Sequence, residues 1–160
     1  LPISAASFDI ALPGTHDEYL LDLYNFVMSN AGSDVELRFS VDGGSTYLAG
    51  GTDYDYVGRG EDNGATVSWQ SGGASRIVLA STLRNTRNQP QLLTQIFPGA
   101  GGVIFNTVRF TGVGQHNVQD SYEIHGAGRC SGSATRATHI RILASAGTIT
   151  GNYVLYGVKR

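Results

Sequence analysis

The chain has 160 residues, of which 11 are Lys or Arg and 13 are Asp or Glu, so its formal net charge is −2. Charged residues make up only 15% of the chain, against about 25% in an average soluble domain. The sequence has no basic stripe, and this excludes the electrostatic footprint of a nucleic-acid-binding protein. No apolar run approaches the ~20 residues that a membrane span needs, so we expect no membrane insertion.

Glycine is unusually frequent, with 22 residues. Because glycine reaches positive φ at no steric cost, this composition favours strands joined by tight turns over helices. The length is that of one domain, and no repeat or linker-like change of composition divides the chain. We therefore expect residues 1–160 to form a single domain. The first residue is Leu1 rather than Met, from which we expect a processed or excised piece.

Short apolar and β-branched runs, bounded mostly by Gly, Asn or Pro, predict strands along the whole chain. In chain order, the predicted strands are residues 3–10, 19–28, 35–41, 46–48, 66–70, 76–83, 92–97, 103–110, 121–125, 138–143 and 148–158. Many short strands with frequent turn signals predict an all-β fold, and specifically a jelly-roll-like antiparallel β-sandwich.

The segment at residues 19–28 admits two interpretations. Residues 15–18, with the sequence THDE, have the form of a capping box, and apolar residues then recur at helical spacing. Against a helix, Tyr24, Phe26 and Val27 favour a strand that is apolar on both faces, as a covered central strand is. We predict a strand here.

The alternation of apolar and polar residues is clearest at residues 35–41, with the sequence VELRFSV. This period of two predicts a half-buried strand. The DGGS sequence that follows at residues 42–45 predicts a turn, and residues 46–48 are predicted to return as the partner strand of a hairpin.

The same turn fits the Asp-box pattern, S-x-D-x-G-x-T followed by an aromatic residue. Its defining residues are Ser40, Asp42, Gly43, Gly44 and Thr46. The aspartate carboxylate is expected to accept hydrogen bonds across the turn, while the glycines supply the turn dihedrals. One such box does not make a propeller of several blades, so we interpret it as a structural turn and not as part of a sialidase-type site.

No set of residues selects an active site or a metal site. Asp and Glu residues lie close together in sequence at several places, and residues 53–63 offer oxygen ligands for Ca²⁺, but their spacing fits no EF-hand loop. The 4 histidines are dispersed, and no G-x-S-x-G nucleophile motif is present. We expect no catalytic residue, no metal ion and no cofactor. Cys130, the only cysteine, is expected to be a small buried residue.

Three aromatic residues are the candidates for ligand binding. Tyr54, Tyr56 and Trp69 lie in the polar, Gly-rich stretch at residues 50–73. Exposed rings among Asp, Asn and Gln suit a sugar, because rings stack on the apolar face of a pyranose while polar groups bond its hydroxyls. The alternative for Trp69, the only tryptophan, is that it fills the sandwich core.

Four stretches together resemble a known group of proteins. They are FDIAL at residues 8–12, YLLDL at 19–23, LRFSVDGGSTY at 37–47 and GTITGNYVLYGV at 147–158. They resemble virion proteins of tailed bacteriophages and prophages that end in a Gly-rich strand followed by an LYG motif. The resemblance implies a jelly-roll-like sandwich in a tail-fibre or head-decorating protein. It carries over no binding residues, because the shared motifs are structural.

The resemblance also implies a setting. Such proteins are assembled in the bacterial cytoplasm, stand on the virion surface, are usually homotrimeric and bind host surface polysaccharide beside other virion proteins. We therefore expect a non-enzymatic adsorption module that binds a host cell-surface glycan. The alternatives are a purely structural capsid or tail decoration protein and, third, a polysaccharide depolymerase.

Overall fold

A computed structural model describes residues 1–62, 65–85, 90–99, 105–115 and 122–159. Every regular element within these ranges is a β-strand, so the all-β prediction is confirmed. The strands are β1 (Pro2–Ala5), β2 (Ser7–Ala11), β3 (Glu18–Met28), β4 (Ser33–Ser40), β5 (Tyr54–Asp62), β6 (Ala65–Ala74), β7 (Ile77–Leu83), β8 (Gln91–Phe97), β9 (Thr107–Gly114), β10 (Tyr122–Cys130), β11 (His139–Ala144) and β12 (Ile149–Val158).

The strands form two antiparallel sheets that pack as a sandwich. The large sheet has the order β1-β12-β3-β8-β9-β10-β5-β6, and the small sheet has the order β2-β11-β4-β7. Most connections cross from one sheet to the other, the exceptions being the β5–β6 hairpin and the β8–β9–β10 meander. The predicted jelly-roll-like antiparallel β-sandwich is therefore confirmed.

Alternating residues of the facing strands build the core between the sheets. On β3, Tyr19, Leu21 and Leu23 are each 1% exposed, whereas the residues between them are only partly buried. This period of two and the pairing of β3 with both β12 and β8 confirm the strand at residues 19–28 and exclude the helix. Cys130 at the end of β10 is also buried, as expected.

The N-terminal strand prediction needs a correction. Residues 3–10 form two strands, because the chain turns at Ala6 and passes from the edge of one sheet to the edge of the other. β1 pairs with β12 in the large sheet, and β2 pairs with β11 in the small sheet. A period-two pattern of apolar residues does not predict such a corner, because the alternation continues in the strands on both sides of it.

The predicted hairpin partner at residues 46–48 is also wrong. β4 lies between β11 and β7, so both of its edges are already paired by distant strands. Residues 46–48 follow it as irregular chain, tied to it by a hydrogen bond from the Leu48 N–H to the Phe39 carbonyl oxygen at 2.9 Å.

A strand that the sequence did not predict, β5, follows this irregular chain. Its glycines do not make turns. A Cβ atom at Gly58 would overlap the Trp69 ring, and one at Gly60 would overlap the Tyr122 ring. These glycines let rings from β6 and β10 lie flat on the inner side of the strand.

Some predictions fall outside the described part of the chain. Residues 103 and 104 of the predicted strand at 103–110, residue 121 of the strand at 121–125, and Asn63 of the candidate calcium ligands are such cases. No helix in the described ranges has the length and apolar character needed to span a membrane.

Candidate functional site

Tyr54, the first of the three predicted ligand-binding aromatics, lies in the core. It is 0% exposed. Its hydroxyl donates to the Leu48 carbonyl oxygen at 3.0 Å and accepts from the Phe39 N–H at 2.8 Å, which ties β5 to β4 and to the chain between them. Burial raises the pKa of Tyr54 well above its ordinary value. The expectation that this ring is exposed is wrong.

Trp69 and Tyr56 also face the inside of the sandwich. The Trp69 indole N–H donates to the Val78 carbonyl oxygen at 3.0 Å, and its ring lies 6.3 Å from that of Tyr122. Tyr56 is partly buried against the core. The structure therefore does not assemble the three aromatics into an exposed site, and the alternative reading of Trp69 as a packing residue matches its position. Recognising β5 would have shown this, because Tyr54, Tyr56, Gly58 and Gly60 alternate onto one face.

The Asp-box residues form the expected turn. Asp42 accepts hydrogen bonds from the Ser40 hydroxyl at 2.7 Å, the Thr46 N–H at 3.0 Å and the Thr46 hydroxyl at 2.6 Å. Gly43 and Gly44 have φ values of 80° and 85°, which glycine adopts without strain. The hydroxyls of Ser40 and Thr46 hold the pKa of Asp42 far below its ordinary value. These bonds all lie within the turn, so its role is structural.

The side of the large sheet that faces away from the small sheet, here called the outer face, carries a different set of side chains. β8, β9, β10 and β5 are neighbours in this sheet, and alternation directs every second residue of each strand outward. The outward residues are Gln91, Leu93, Gln95 and Phe97 on β8, Thr107, Arg109, Thr111 and Val113 on β9, Glu123, His125, Ala127 and Arg129 on β10, and Asp55, Val57, Arg59 and Glu61 on β5.

Strand register sets the neighbours of Arg109, which lies near the middle of the outer face. Arg109 is opposite Gln95 on β8 and opposite Ala127 on β10. The row continues from Ala127 to Val57 on β5 and from Gln95 to Leu20 on β3. Residues in register on adjacent strands have close Cβ atoms, so Arg109 stands between an amide and a methyl group.

A groove runs across the outer face on both sides of Arg109. One cavity of about 480 Å³ is bordered by Val57, Phe97, Thr107 and Arg129. A second cavity of about 590 Å³ is bordered by Leu20, Leu93, Gln95, Thr111 and His125. Arg109 and Ala127 line both cavities, so the two are adjacent. Each volume falls in the range of about 300–1,000 Å³ that small-molecule sites occupy.

Most charges on the outer face are paired locally. Arg129 Nε lies 2.7 Å from Asp55 Oδ2, His125 Nε2 lies 3.0 Å from Glu123 Oε1, and Arg59 pairs with Glu61. The Arg129 guanidinium also holds the pKa of Asp55 below its ordinary value. Arg109 differs from them, because its side chain makes neither a hydrogen bond nor an ion pair with any residue that the structure describes.

The described residues bring no group of three His, Cys, Asp or Glu side chains into a metal-binding arrangement. The Cys130 thiol is buried, and burial raises its pKa, so the thiol form dominates at neutral pH. What the outer face offers is a set of hydrogen-bonding groups around apolar side chains.

No family model matches the sequence, and no curated protein matches it. Among solved structures, the chain is similar to a toad ovary galectin in complex with thio-digalactose, with a TM-score of 0.40 and 6% identity over 95% of this chain and 99% of that one. It is also similar to CG-16, a homodimeric agglutinin from chicken liver, with a TM-score of 0.36 and 9% identity over 98% and 100% of the two chains. The VP2 subviral particle of infectious bursal disease virus gives a TM-score of 0.20 and 13% identity over 99% and 40%. Likenesses of this size assign neither a family nor a function.

Proposed function

We propose that the chain binds carbohydrate in the groove on the outer face of the large sheet. The observation that carries this proposal is the lining of the groove, where Gln95, Arg109 and Thr111 stand beside the small apolar side chains of Ala127 and Leu93. Sugars present hydroxyl pairs next to C–H patches. Planar amide and guanidinium groups bond adjacent hydroxyls, while an apolar floor receives the C–H patches.

The dimensions of the groove favour an extended ligand. Its lining residues come from six neighbouring strands, β6, β5, β10, β9, β8 and β3. Strands in a sheet are about 4.8 Å apart, so the five spacings between these strands amount to ~24 Å. A glycan of several linked units uses this length, whereas a monosaccharide leaves most of the groove empty.

The affinity of one groove is expected to be weak, because the centre of the groove has no exposed aromatic ring among the residues described. Of the aromatic residues that line the two cavities, Phe110 is only 4% exposed and Tyr56 is partly buried against the core. Phe97 lies at the Arg129 end, where the Arg129 guanidinium is 5.8 Å from the Phe105 ring. Weak sites become effective when several copies bind one polymer. This requirement is met if the chain is presented as an oligomer.

We further infer that such an oligomer stands on the surface of a phage or phage-like virion and binds host surface polysaccharide during adsorption. The support is the resemblance of the sequences at residues 37–47 and 147–158 to virion proteins. A homotrimer beside other virion proteins presents three grooves to one polysaccharide chain, and this multiplies the effective affinity.

The second candidate is a structural decoration protein whose outer face is covered by another virion protein. Exposed apolar side chains on that face favour it, namely Val57 at 54%, Val113 at 57% and Tyr156 at 53%. A protein partner covers such residues, whereas a sugar leaves most of them in water. The third candidate, a depolymerase, requires two converging carboxylates, which the paired state of Asp55 does not favour.

The experiment that tests sugar binding is a glycan array followed by calorimetric titration of the best glycan. Ala127→Trp fills the groove at an exposed position, and Ala11→Trp is the matched control on the exposed edge strand β2 of the small sheet. We expect saturable binding by the unmodified chain and by the control, and loss of binding in Ala127→Trp. A folded chain that binds no glycan on the array overturns the proposal and supports the structural role. New reducing ends in the glycan would indicate a depolymerase.

A further inference from the structure

We propose that the glycan is anionic and that Arg109 binds its carboxylate or sulfate group. This inference rests on the proposed sugar-binding function and names the class of sugar. It begins from the contrast between Arg109 and the other two arginines of the outer face. Arg129 has Asp55 as its partner and Arg59 has Glu61, whereas Arg109 has no partner among the described residues.

The missing partner matters because an arginine side chain stays charged at any physiological pH and carries five N–H donors. The cross-strand neighbours of Arg109 are Gln95 and Ala127, neither of which is an anion. The register of the sheet therefore places a free guanidinium beside Ala127, where the two cavities adjoin. A ligand with an anionic group supplies the partner that the chain does not.

The charge balance of the groove points the same way. Among the described residues that line the two cavities, Arg109 and Arg129 are cations and Asp55 is the acidic residue. Counted from Lys, Arg, Asp and Glu alone, the lining thus carries one positive charge, although the same count gives the whole chain a net charge of −2. Asp55 repels an anion little, because Arg129 neutralises it and the Gly73 N–H also donates to it at 3.1 Å.

The groups beside Arg109 suit a sugar better than a nucleic acid. A guanidinium bonds a carboxylate through two parallel N–H···O contacts, and Gln95 and Thr111 next to it offer an amide and a hydroxyl to neighbouring ring hydroxyls. Nucleic-acid binding requires several free cations along a track. Within the described lining of the groove, one free arginine on a chain of negative net charge does not provide such a track.

The test is a calorimetric comparison of three probes: oligogalacturonate, its methyl ester, and a sulfated dextran oligosaccharide. The methyl ester differs from the acid only in having no charge. Because a hydrogen bond to a charged group contributes about 10- to 100-fold in affinity, we expect the acid or the sulfated probe to bind that much more tightly than the ester. The acid and sulfated arms identify the anionic group.

Two exposed arginines provide the variant and its control. Arg109→Gln is expected to reduce binding of the anionic probe to the level of the ester, and to remove the salt dependence of binding. Arg59→Gln, on the same face but outside both cavities, is expected to leave binding unchanged. Equal binding of acid, ester and sulfated probes, or full binding by Arg109→Gln, overturns this inference while sugar binding stands. Absence of binding to every glycan on the array overturns the proposed function itself.

Discussion

Trp69 on β6 donates its indole N–H to the Val78 carbonyl oxygen on β7 at 3.0 Å, and this bond joins the two sheets. β6 is the last strand of the large sheet and β7 is the last strand of the small sheet. The indole therefore closes one side of the sandwich, where an edge carbonyl otherwise has no strand partner. The tryptophan that the sequence suggested for a sugar site thus has a role in packing.

Trp69→Phe is predicted to destabilise the fold by about 1 kcal/mol, because it removes the hydrogen bond to Val78 while keeping most of the ring packing. The free energy of unfolding is measured from urea titrations of both proteins. Glycan affinity is expected to stay the same. If Trp69→Phe instead leaves the stability unchanged and weakens glycan binding, Trp69 is a ligand-binding residue and not a packing residue.

Gly60→Ala is predicted to destabilise the fold by about 1–3 kcal/mol, because the added methyl group overlaps the buried ring of Tyr122. Gly72→Ala on the neighbouring strand is the matched control, since a Cβ there meets nothing within 4 Å. The control is expected to be neutral or slightly stabilising. The melting temperatures of the two variants, measured by thermal unfolding, test this prediction. Equal melting temperatures would contradict the close approach of Tyr122 to Gly60.

Asp42→Asn is predicted to remove a pH-dependent part of the stability. The folded-state pKa of Asp42 lies below its ordinary value of 3.8, chiefly through hydrogen bonds from the side chains of Ser40 and Thr46. A lowered pKa stabilises the fold above the unfolded value, and this contribution is lost as the pH falls through the folded value. Urea midpoints of the variant and the unmodified chain should therefore differ most near pH 6 and begin to converge as the pH falls below the unfolded value of about 4.

Thr46→Val is the graded companion of this variant, because it removes one hydroxyl donor to Asp42 and keeps the backbone bond. We expect the same pH trend with a smaller amplitude. A difference between Asp42→Asn and the unmodified chain that stays constant from pH 6 to pH 3 would argue against the hydrogen-bonded carboxylate.

Arg76→Met is predicted to destabilise the fold by about 3 kcal/mol, because it leaves the Glu36 carboxylate buried and unpaired. The two side chains form an ion pair, with Arg76 Nε at 2.6 Å from Glu36 Oε1, and the Glu36 side chain is only 3% exposed. Desolvation already raises the pKa of Glu36 above its ordinary value of 4.5. Loss of the arginine raises it further.

The sign of the effect gives a second measurement on the same pair. A carboxyl group with a raised folded-state pKa costs stability as the pH rises above the unfolded value, since the unfolded state releases the proton first. The deficit of Arg76→Met should therefore grow from pH 4.5 upward, and adding Glu36→Gln should recover part of it. A deficit that is the same at every pH would show that Arg76 acts by packing alone.

The sequence by itself determined the features that depend on neighbouring residues in the chain. Alternation predicted β4, in which Val35, Leu37 and Phe39 are buried, because the period of a strand is a property of its own backbone. The Asp42 turn followed in the same way, since the hydrogen bonds of the Asp42 carboxylate come from Ser40 and Thr46 within the same turn. Many such strands with frequent glycine turns also determined the fold class.

Only the tertiary structure decided where the candidate site lies. The groove exists because β8, β9, β10 and β5 pair in one register, and this pairing joins segments that are far apart in the sequence. Local sequence does not record that Arg109 meets Gln95 and Ala127, or that it lacks an acidic neighbour. The sequence around Gly58 and Gly60 likewise suggests turns. The structure shows instead that these glycines leave room for the rings of Trp69 and Tyr122, which belong to other strands. Local hydrogen bonds and alternation depend only on short stretches of the chain. The neighbours of a side chain across a sheet depend on which distant strands pair and in which register.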